Sequence, residues 1–396
     1  MYARKHNPDY SIILTVAFLL LIGIVVLFSI GPALEISTGI TVGKQFVSIF
    51  LSLIAFAITY VVPVNFWHRT QKYLVGIAAF ATAVLLIGPA SITPSVKGAS
   101  RWLVVGPISF QPAELVKFAL LVYLAVFLAG KAKKGLIDDR KETLMPVVYI
   151  TAILGVVIVV LERDLGTMLS IIIITITMLY VAGIRLQHMG AFLGGMAGVG
   201  VLAVLLVPHR VERLTTFLSP GSDIEGSGYH INQALIAVGS GGMFGLGLGK
   251  SVQAHGYLPE AANDSIFAIY AEKFGFIGAI LIVALFGYLL IKLAKIVQHA
   301  PNTYTRLLSA GVFAWIGSHT IINIGAILGL LPLTGITLPF LSYGGSSLVF
   351  IMAATGLALN ISRYSLSDRV VNSERARATH ANRSHRRRNS RPRHAN

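Results

Sequence analysis

Cysteine is absent from the 396 residues, which excludes disulfides, thiolate nucleophiles and cysteine metal sites. Charge is scarce as well: charged residues make up 12% of the chain, against about 25% in soluble domains. Acids are the rarest part of it, 16 Asp and Glu in all. No Ser–His–Asp arrangement and no metal-ligand spacing stands out among the 11 histidines. What fills the space is apolar, 55% of all residues, more than one soluble core of this length needs. The composition therefore points to many membrane spans.

Ten apolar segments approach the roughly 20 residues that a span needs. They are Ser11–Ile30, Phe46–Val62, Tyr73–Pro89, Pro112–Ala129, Met145–Leu161, Leu165–Ile184, Met189–Val207, Ser265–Ile291, Leu307–Leu331 and Leu338–Ile361. Backbone groups in lipid must pair within their own segment, so all are expected to be helices, an all-α polytopic fold. Ser11–Ile30 follows Arg4 and Lys5, is long for a signal sequence and has no small-residue cleavage site after it, so it reads as the first span.

Net charge is +16, and its placement orients the chain. With the N-terminus inside, 23 of the 32 Lys and Arg fall in cytoplasmic segments, ten of them at or beyond Arg363. The positive-inside bias thus favours ten spans with both termini in the cytoplasm. Residues 1–363 form the membrane domain. Residues 364–396 form a basic tail, read either as a disordered segment touching anionic lipid or as a partner-docking arm. The charge has an address at the membrane, so no nucleic-acid partner is expected.

Residues 208–263 then form one large outer loop between spans seven and eight, and unpunctuated loops of that length are usually functional. Its segment Ile231–Leu248 is apolar, with six glycines from Gly239 to Gly249. A full span there would put the basic tail outside, so a re-entrant or interfacial hairpin is expected instead. The glycines suggest either a phosphate cradle or close helix packing. Gly249-Lys250-Ser251 is not a P-loop end, because Phe244 stands where that motif needs glycine.

Ionisable residues beside spans are costly and therefore candidates for function. Glu114, Glu162, Asp164, Glu260, Asp264 and Glu272 cluster toward the expected outer face, accompanied by Arg101, Lys117, Arg163, Arg210, Arg213, Lys250 and Lys273. Mixed charge on one face suits an anionic amphiphile, with cations for phosphate and a carboxylate for base or metal-ligand duty. Asp264 precedes the eighth span and is either an N-cap or a catalytic group. Arg101 and Trp102 suit an interfacial anchor. Glu114 and Lys117 are three apart and share a helix face. The run Ser342-Tyr343-Gly344-Gly345-Ser346-Ser347 implies a broken or closely packed last span.

In order along the chain stand Gly98–Trp102, Phe110-Gln111-Pro112-Ala113-Glu114-Leu115-Val116-Lys117, Asp164-Leu165-Gly166-Thr167, Gly228-Tyr229-His230 to Gln233, and Gly239–Gly242. Gly247 to Gln253, Tyr257-Leu258-Pro259-Glu260 and Leu338 to Ser347 follow. Together they resemble the SEDS proteins (shape, elongation, division and sporulation), the FtsW-like branch more than the rod-elongation branch. The resemblance covers nearly all of the chain except the tail. It implies a ten-span fold and peptidoglycan glycosyltransfer from lipid II, releasing undecaprenyl pyrophosphate. It implies Asp264 at the family's essential aspartate. Substrate contacts are expected from Arg101, Glu114, Lys117, Asp164, Arg210, Lys250, Gln253, Glu260, Ser342 and Ser346. The implied partners are a class B penicillin-binding protein and other divisome or elongasome membrane proteins. The leaving pyrophosphate calls for a divalent cation (Mg or Mn) or for Arg101, Lys117 and Arg210, with no organic cofactor. A lipid II flippase and a non-enzymatic division scaffold are the rival classes. The family usually carries His-Thr-Asp-Phe at Ala262–Ser265, proline at Arg163 and serine at Ala113, so the aspartates are kept while their neighbours differ.

Overall fold

The computed structural model describes residues 7–38, 42–96, 99–106, 108–205, 211, 217 and 227–364. Arg210 and the basic tail beyond Tyr364 lie outside them. The helices are α1 Tyr10–Thr38, α2 Val42–Val61, α3 Val64–Ile87, α4 Pro112–Lys133, α5 Met145–Gly155, α6 Leu165–Ala182 and α7 Leu186–Leu205. After the outer segment come α8 Ser227–Ser240, α9 Ile266–His299, α10 Thr303–Ile327 and α11 Ser346–Ser362. Wider π-helical turns, Arg140–Leu144 and Val156–Leu161, extend α5 at both ends.

Sequence punctuation accounts for most boundaries. Pro63 separates α2 from α3, and Pro112 opens α4, where its missing N–H costs nothing. Asp139 caps the turn before α5, accepting from the Lys141 and Glu142 amides. Gly183, at φ 92°, ends α6 in the left-handed conformation that glycine adopts freely. Asn302 and Thr305 form a reciprocal capping box at the start of α10.

Among the described residues, eight helices are long and apolar enough to cross a membrane. The helix α7, of 20 residues, and the shorter apolar α11 bring the number to the ten expected. The chain is a multi-pass membrane protein. The most enclosed of its long helices is α10, packed against α4, α6, α9 and α11, while α2 and α3 turn Phe50, Ile58 and Phe80 outward, where lipid would lie. Close approach rests on small residues: a Cβ on Gly311 of α10 would come within 2.8 Å of Leu121 on α4, and one on Gly356 of α11 would overlap the Phe56 carbonyl of α2. Asn360 of α11 donates to the Thr59 and Val62 carbonyls, satisfying the open end of α2.

The structure departs from expectation in three places and meets it in a fourth. Residues 95–110 form two short antiparallel hairpins, β1 Ser95–Val96 with β2 Ala99–Ser100 and β3 Leu103–Val105 with β4 Ile108–Phe110. The eighth span is one helix of 34 residues, kinked in its N-terminal part at Gly275, whose φ of 68° and ψ of −165° break the helix. The last span begins at Ser346 and not at Leu338, because residues 328–345 are irregular and α11 starts after Gly345 at φ 42°. Apolar irregular chain is tolerated here because surrounding helices cover it. Finally, Ile231–Leu248 contains the 14-residue α8 and then turns. At about 1.5 Å per residue, α8 reaches about 21 Å, short of the roughly 30 Å hydrocarbon core. That agrees with a hairpin in place of a span.

Candidate active site

Asp264 sits in a tight turn before α9. The helix cap is Ser265, one residue later, so the capping role considered for Asp264 belongs to its neighbour. Ser265 itself makes no side-chain cap. Its hydroxyl donates to the Pro259 carbonyl at 2.9 Å, which leaves His230 Nε2, 2.6 Å away, to donate to the same oxygen. The Glu260 carbonyl, at a residue held at φ 52°, accepts from the Asn263 and Ser265 amides. Asn263 Nδ2 donates to Glu260 Oε2 at 2.7 Å. The Asp264 residue is buried at 9% exposure.

Two other parts of the chain grip this turn. Asn323 of α10 donates from Nδ2 to the Asp264 carbonyl and to the Ile336 carbonyl, both at 2.7 Å. The Tyr343 amide donates to the Ala262 carbonyl at 2.8 Å. Segment 331–347 thus lies over the aspartate. Gly335, at φ 73°, passes so near that a Cβ there would sit 3.9 Å from Asp264 Oδ2. Ser342 and Ser346, expected as substrate contacts, stitch this segment together: Ser342 Oγ accepts from the Leu338 amide at 2.8 Å and Ser346 Oγ from the Gln111 amide at 3.0 Å.

Gln111 carries the network onward, its Nε2 lying 3.4 Å from Asp164 Oδ2. Asp164 is the N-cap of α6, accepting from the Thr167 amide and hydroxyl at 2.9 Å each. Gly166, in the next turn, meets the Thr334 carbonyl so closely that a Cβ would come within 2.8 Å. Segments 110–117, 162–167, 259–265 and 334–347 therefore form one hydrogen-bonded and close-packed scaffold. These are four of the motifs in the sequence, and the fold brings them together around Asp264.

Arg101 serves the same scaffold. Its Nε and Nη2 donate to the carbonyls of Glu162 and Arg163, at 3.0 and 2.5 Å, holding a turn in which Arg163 stands at φ 56°. The Glu162 side chain has no exposed surface, and neither carboxyl oxygen has a hydrogen-bond partner among the described residues. Burial, with the adjacent Asp164 charge, pushes its carboxyl up to about 8 against the pull of Arg101.

Glu114 and Lys117 do pair, at 2.9 Å, with both side chains buried. Lys117 Nζ also lies 3.2 Å from His319 Nε2, which accepts from Trp315 Nε1 at 3.2 Å, and Nζ stands 5.1 Å over the Trp315 ring. Lys117 is therefore turned into the bundle, away from any surface where a pyrophosphate could meet it.

The glycine-rich stretch is held by a second clamp on the upper part of α9. Glu272 accepts from Ser251 Oγ at 2.5 Å and from the amides of Val252 and Gln253 at 2.9 and 3.3 Å. Lys273 Nζ donates to the Leu248 carbonyl at 2.6 Å. A Cβ on Gly241 or Gly245 would overlap the carbonyls of Ala271 and Lys273, so at these positions the glycines serve close backbone packing. The clamp leaves Lys250 exposed and Gln253 buried, the latter at 8% exposure. Among the described residues no three His, Asp or Glu side chains come together to hold a metal ion. His319 and Asn323 are site residues that motif reading does not single out, whereas His230 belongs to the quoted motif Gly228 to Gln233. The available signal is the spacing of four between Trp315, His319 and Asn323 on an apolar span.

Known proteins resemble this chain throughout. A family model described as a cell cycle protein, named for FtsW, RodA and SpoVE, matches residues 10–367. Stage V sporulation protein E of Bacillus subtilis is 39% identical over 372 residues, 92% of this chain and 100% of that protein. A Coxiella burnetii protein named "Probable peptidoglycan glycosyltransferase FtsW" is 40% identical over 303 residues, 76% of this chain and 80% of its own. A solved chain, described under the structural coordination of polymerization and crosslinking by a peptidoglycan synthase complex, superposes with a TM-score of 0.74. It is 26% identical, and the match covers 90% of this chain and 98% of that one.

Proposed function

The chain belongs to the FtsW/RodA/SpoVE family of cell cycle proteins, and we propose that it polymerises lipid II into peptidoglycan glycan strands, with Asp264 as general base. One observation carries the reading. The Asp264 carboxylate is set in a hydrogen-bonded turn beside the segment that carries Gly335, at the point where four motifs meet. Positioning of that kind suits a base that must meet one hydroxyl in one orientation.

The reaction balances as follows. Asp264 takes the proton from the 4-hydroxyl of the acceptor N-acetylglucosamine. The oxygen forms a bond to C1 of the donor N-acetylmuramic acid with inversion. The bond from C1 to the pyrophosphate oxygen breaks, and undecaprenyl pyrophosphate leaves with that electron pair. Well-placed base catalysis contributes roughly 100- to 10,000-fold. Lys117 is occupied by Glu114 and His319, so the exposed Lys250, with Arg101 beside the Glu162 turn, is the basic side chain better placed for the leaving phosphates.

In this reading the site faces the outer leaflet, both termini are cytoplasmic, and a class B penicillin-binding protein crosslinks the emerging strand. Purified protein with labelled lipid II, with and without that partner, is the test, repeated with EDTA. Glycan ladders on a gel are expected. Transfer of lipid II across vesicles with no covalent product would mean a flippase, and neither activity would mean a scaffold. Ladders that vanish with EDTA and return with Mg or Mn would assign the leaving-group charge to a cation.

A further inference from the structure

Asn323 is a buried amide in the last turns of the apolar helix Thr303–Ile327, 2% exposed, where a polar side chain is costly. Its two N–H groups are both used, one on the Asp264 carbonyl and one on the Ile336 carbonyl, each at 2.7 Å. The opposite amide orientation would face the side-chain oxygen toward two carbonyl oxygens, so the donor assignment follows from the contacts. Only a side chain with two N–H donors in a plane can bridge them in this way. The bridged carbonyls belong to the two segments that define the catalytic space. One is the residue proposed as base. The other lies next to Gly335, where a Cβ would stand in van der Waals contact with the Asp264 carboxylate.

Other contacts hold the neighbours of Asp264, while Asn323 holds the Asp264 carbonyl. Tyr343 grips Ala262, and Ser265 is tied to Pro259 and His230. The helix that carries Asn323 is itself fixed one turn away, where His319 meets Lys117 and Trp315. The grip therefore comes from a helix enclosed within the bundle and anchored by a buried ion pair.

We propose that Asn323 is a positioning residue for the glycosyl transfer, holding the Asp264 backbone and the 335–337 roof at a fixed separation so that the carboxylate meets the acceptor hydroxyl. This rests on the assignment of Asp264 as base. Asn323 touches neither sugar. Its loss should lower the rate of the chemical step and leave substrate binding nearly intact, because a misplacement of about 1 Å can cost roughly 100-fold in rate.

The experiment compares wild type, Asn323→Leu, Asn323→Gln and Asp264→Asn, all purified with the partner transpeptidase, on labelled lipid II. Leu keeps the branching of Asn at Cγ, is larger, and removes both donors. Gln keeps both donors and moves them by one methylene. Each variant is measured per folded protein, taken from the monodisperse detergent fraction. The expected result for Asn323→Leu is a kcat lowered at least about tenfold with KM within about twofold of wild type. Asn323→Gln should keep more of kcat than Leu, because it can still reach one carbonyl.

Wild-type kcat in Asn323→Leu would overturn the proposal, as would a loss confined to KM. If Asn323→Leu does not fold, Asn323→Gln decides: lowered kcat at unchanged KM supports positioning, and unchanged kcat overturns it. Asp264→Asn separates the two claims. Activity in that variant removes the base and the positioning role with it. An inactive Asp264→Asn beside a fully active Asn323→Leu removes the positioning role alone.

Discussion

Removing one partner of the Glu114–Lys117 pair should be far more damaging than removing both. The two side chains are 4% and 1% exposed, and the N–O distance is 2.9 Å. Breaking a buried pair strands a charge and costs about 3–5 kcal/mol, whereas replacing both members with uncharged groups is often near neutral. The surroundings make the two single losses unequal. In Glu114→Gln the lysine keeps His319 Nε2 and the Trp315 face. In Lys117→Met the glutamate keeps nothing comparable, since Oε2 has no partner among the described residues even with the lysine present. Lys117→Met should thus lie at the upper end of that range, Glu114→Gln below it, and the double variant within about 1 kcal/mol of wild type. Unfolding of the detergent-purified protein can be followed by tryptophan fluorescence, since Trp315 sits under the lysine and is one of only three tryptophans. A Lys117→Met variant as stable as the double variant would refute the reasoning.

Other outcomes follow from the same geometry. Glu162 has a folded-state carboxyl raised from 4.5 to about 8, so the stability it contributes is complete below the lower value and is lost as pH rises toward the upper one. The melting temperature should fall from about pH 5 to about pH 8.5, and Glu162→Gln should flatten that fall. Gly245→Ala should lower the melting temperature and the yield of monodisperse protein. It adds about 1–2 kcal/mol of left-handed backbone cost at φ 83°, before its Cβ meets the Lys273 carbonyl. Asp164→Ala should cost about 0.5–2 kcal/mol as a lost N-cap, read as a lower melting temperature.

The helices were legible because lipid leaves a span little choice: enough apolar length must be helix. The same rule misread both ends of the site. Leu338–Leu341 is as apolar as a span, yet it is irregular chain buried by other helices, and hydropathy measures transfer, not backbone shape. The kink at Gly275 is likewise silent in hydropathy, since one glycine among apolar residues changes the average little. The Glu114–Lys117 pair was readable because both residues lie on one helix at a fixed spacing. Its completion by His319 was not, since that contact joins residues 202 apart in the chain. Asp264 could be read two ways from position alone. A shift of one residue in the helix start, to a cap at Ser265, decides against the capping role. The glycines from Gly239 to Gly249 invited a phosphate reading, but two of them are filled by the α9 backbone. Arg210 lies outside the described residues, so its expected place at the substrate has no counterpart in the geometry.

The most direct test of the central claim is polymerisation of labelled lipid II by wild type and Asp264→Asn, side by side, with the transpeptidase present. The substitution keeps the shape of the side chain and removes its basicity, and the turn around it is held by backbone contacts that the change does not touch. Long glycan from wild type and none from Asp264→Asn, with both proteins equally folded, is the predicted result. Glycan of normal length and yield from Asp264→Asn would contradict the account.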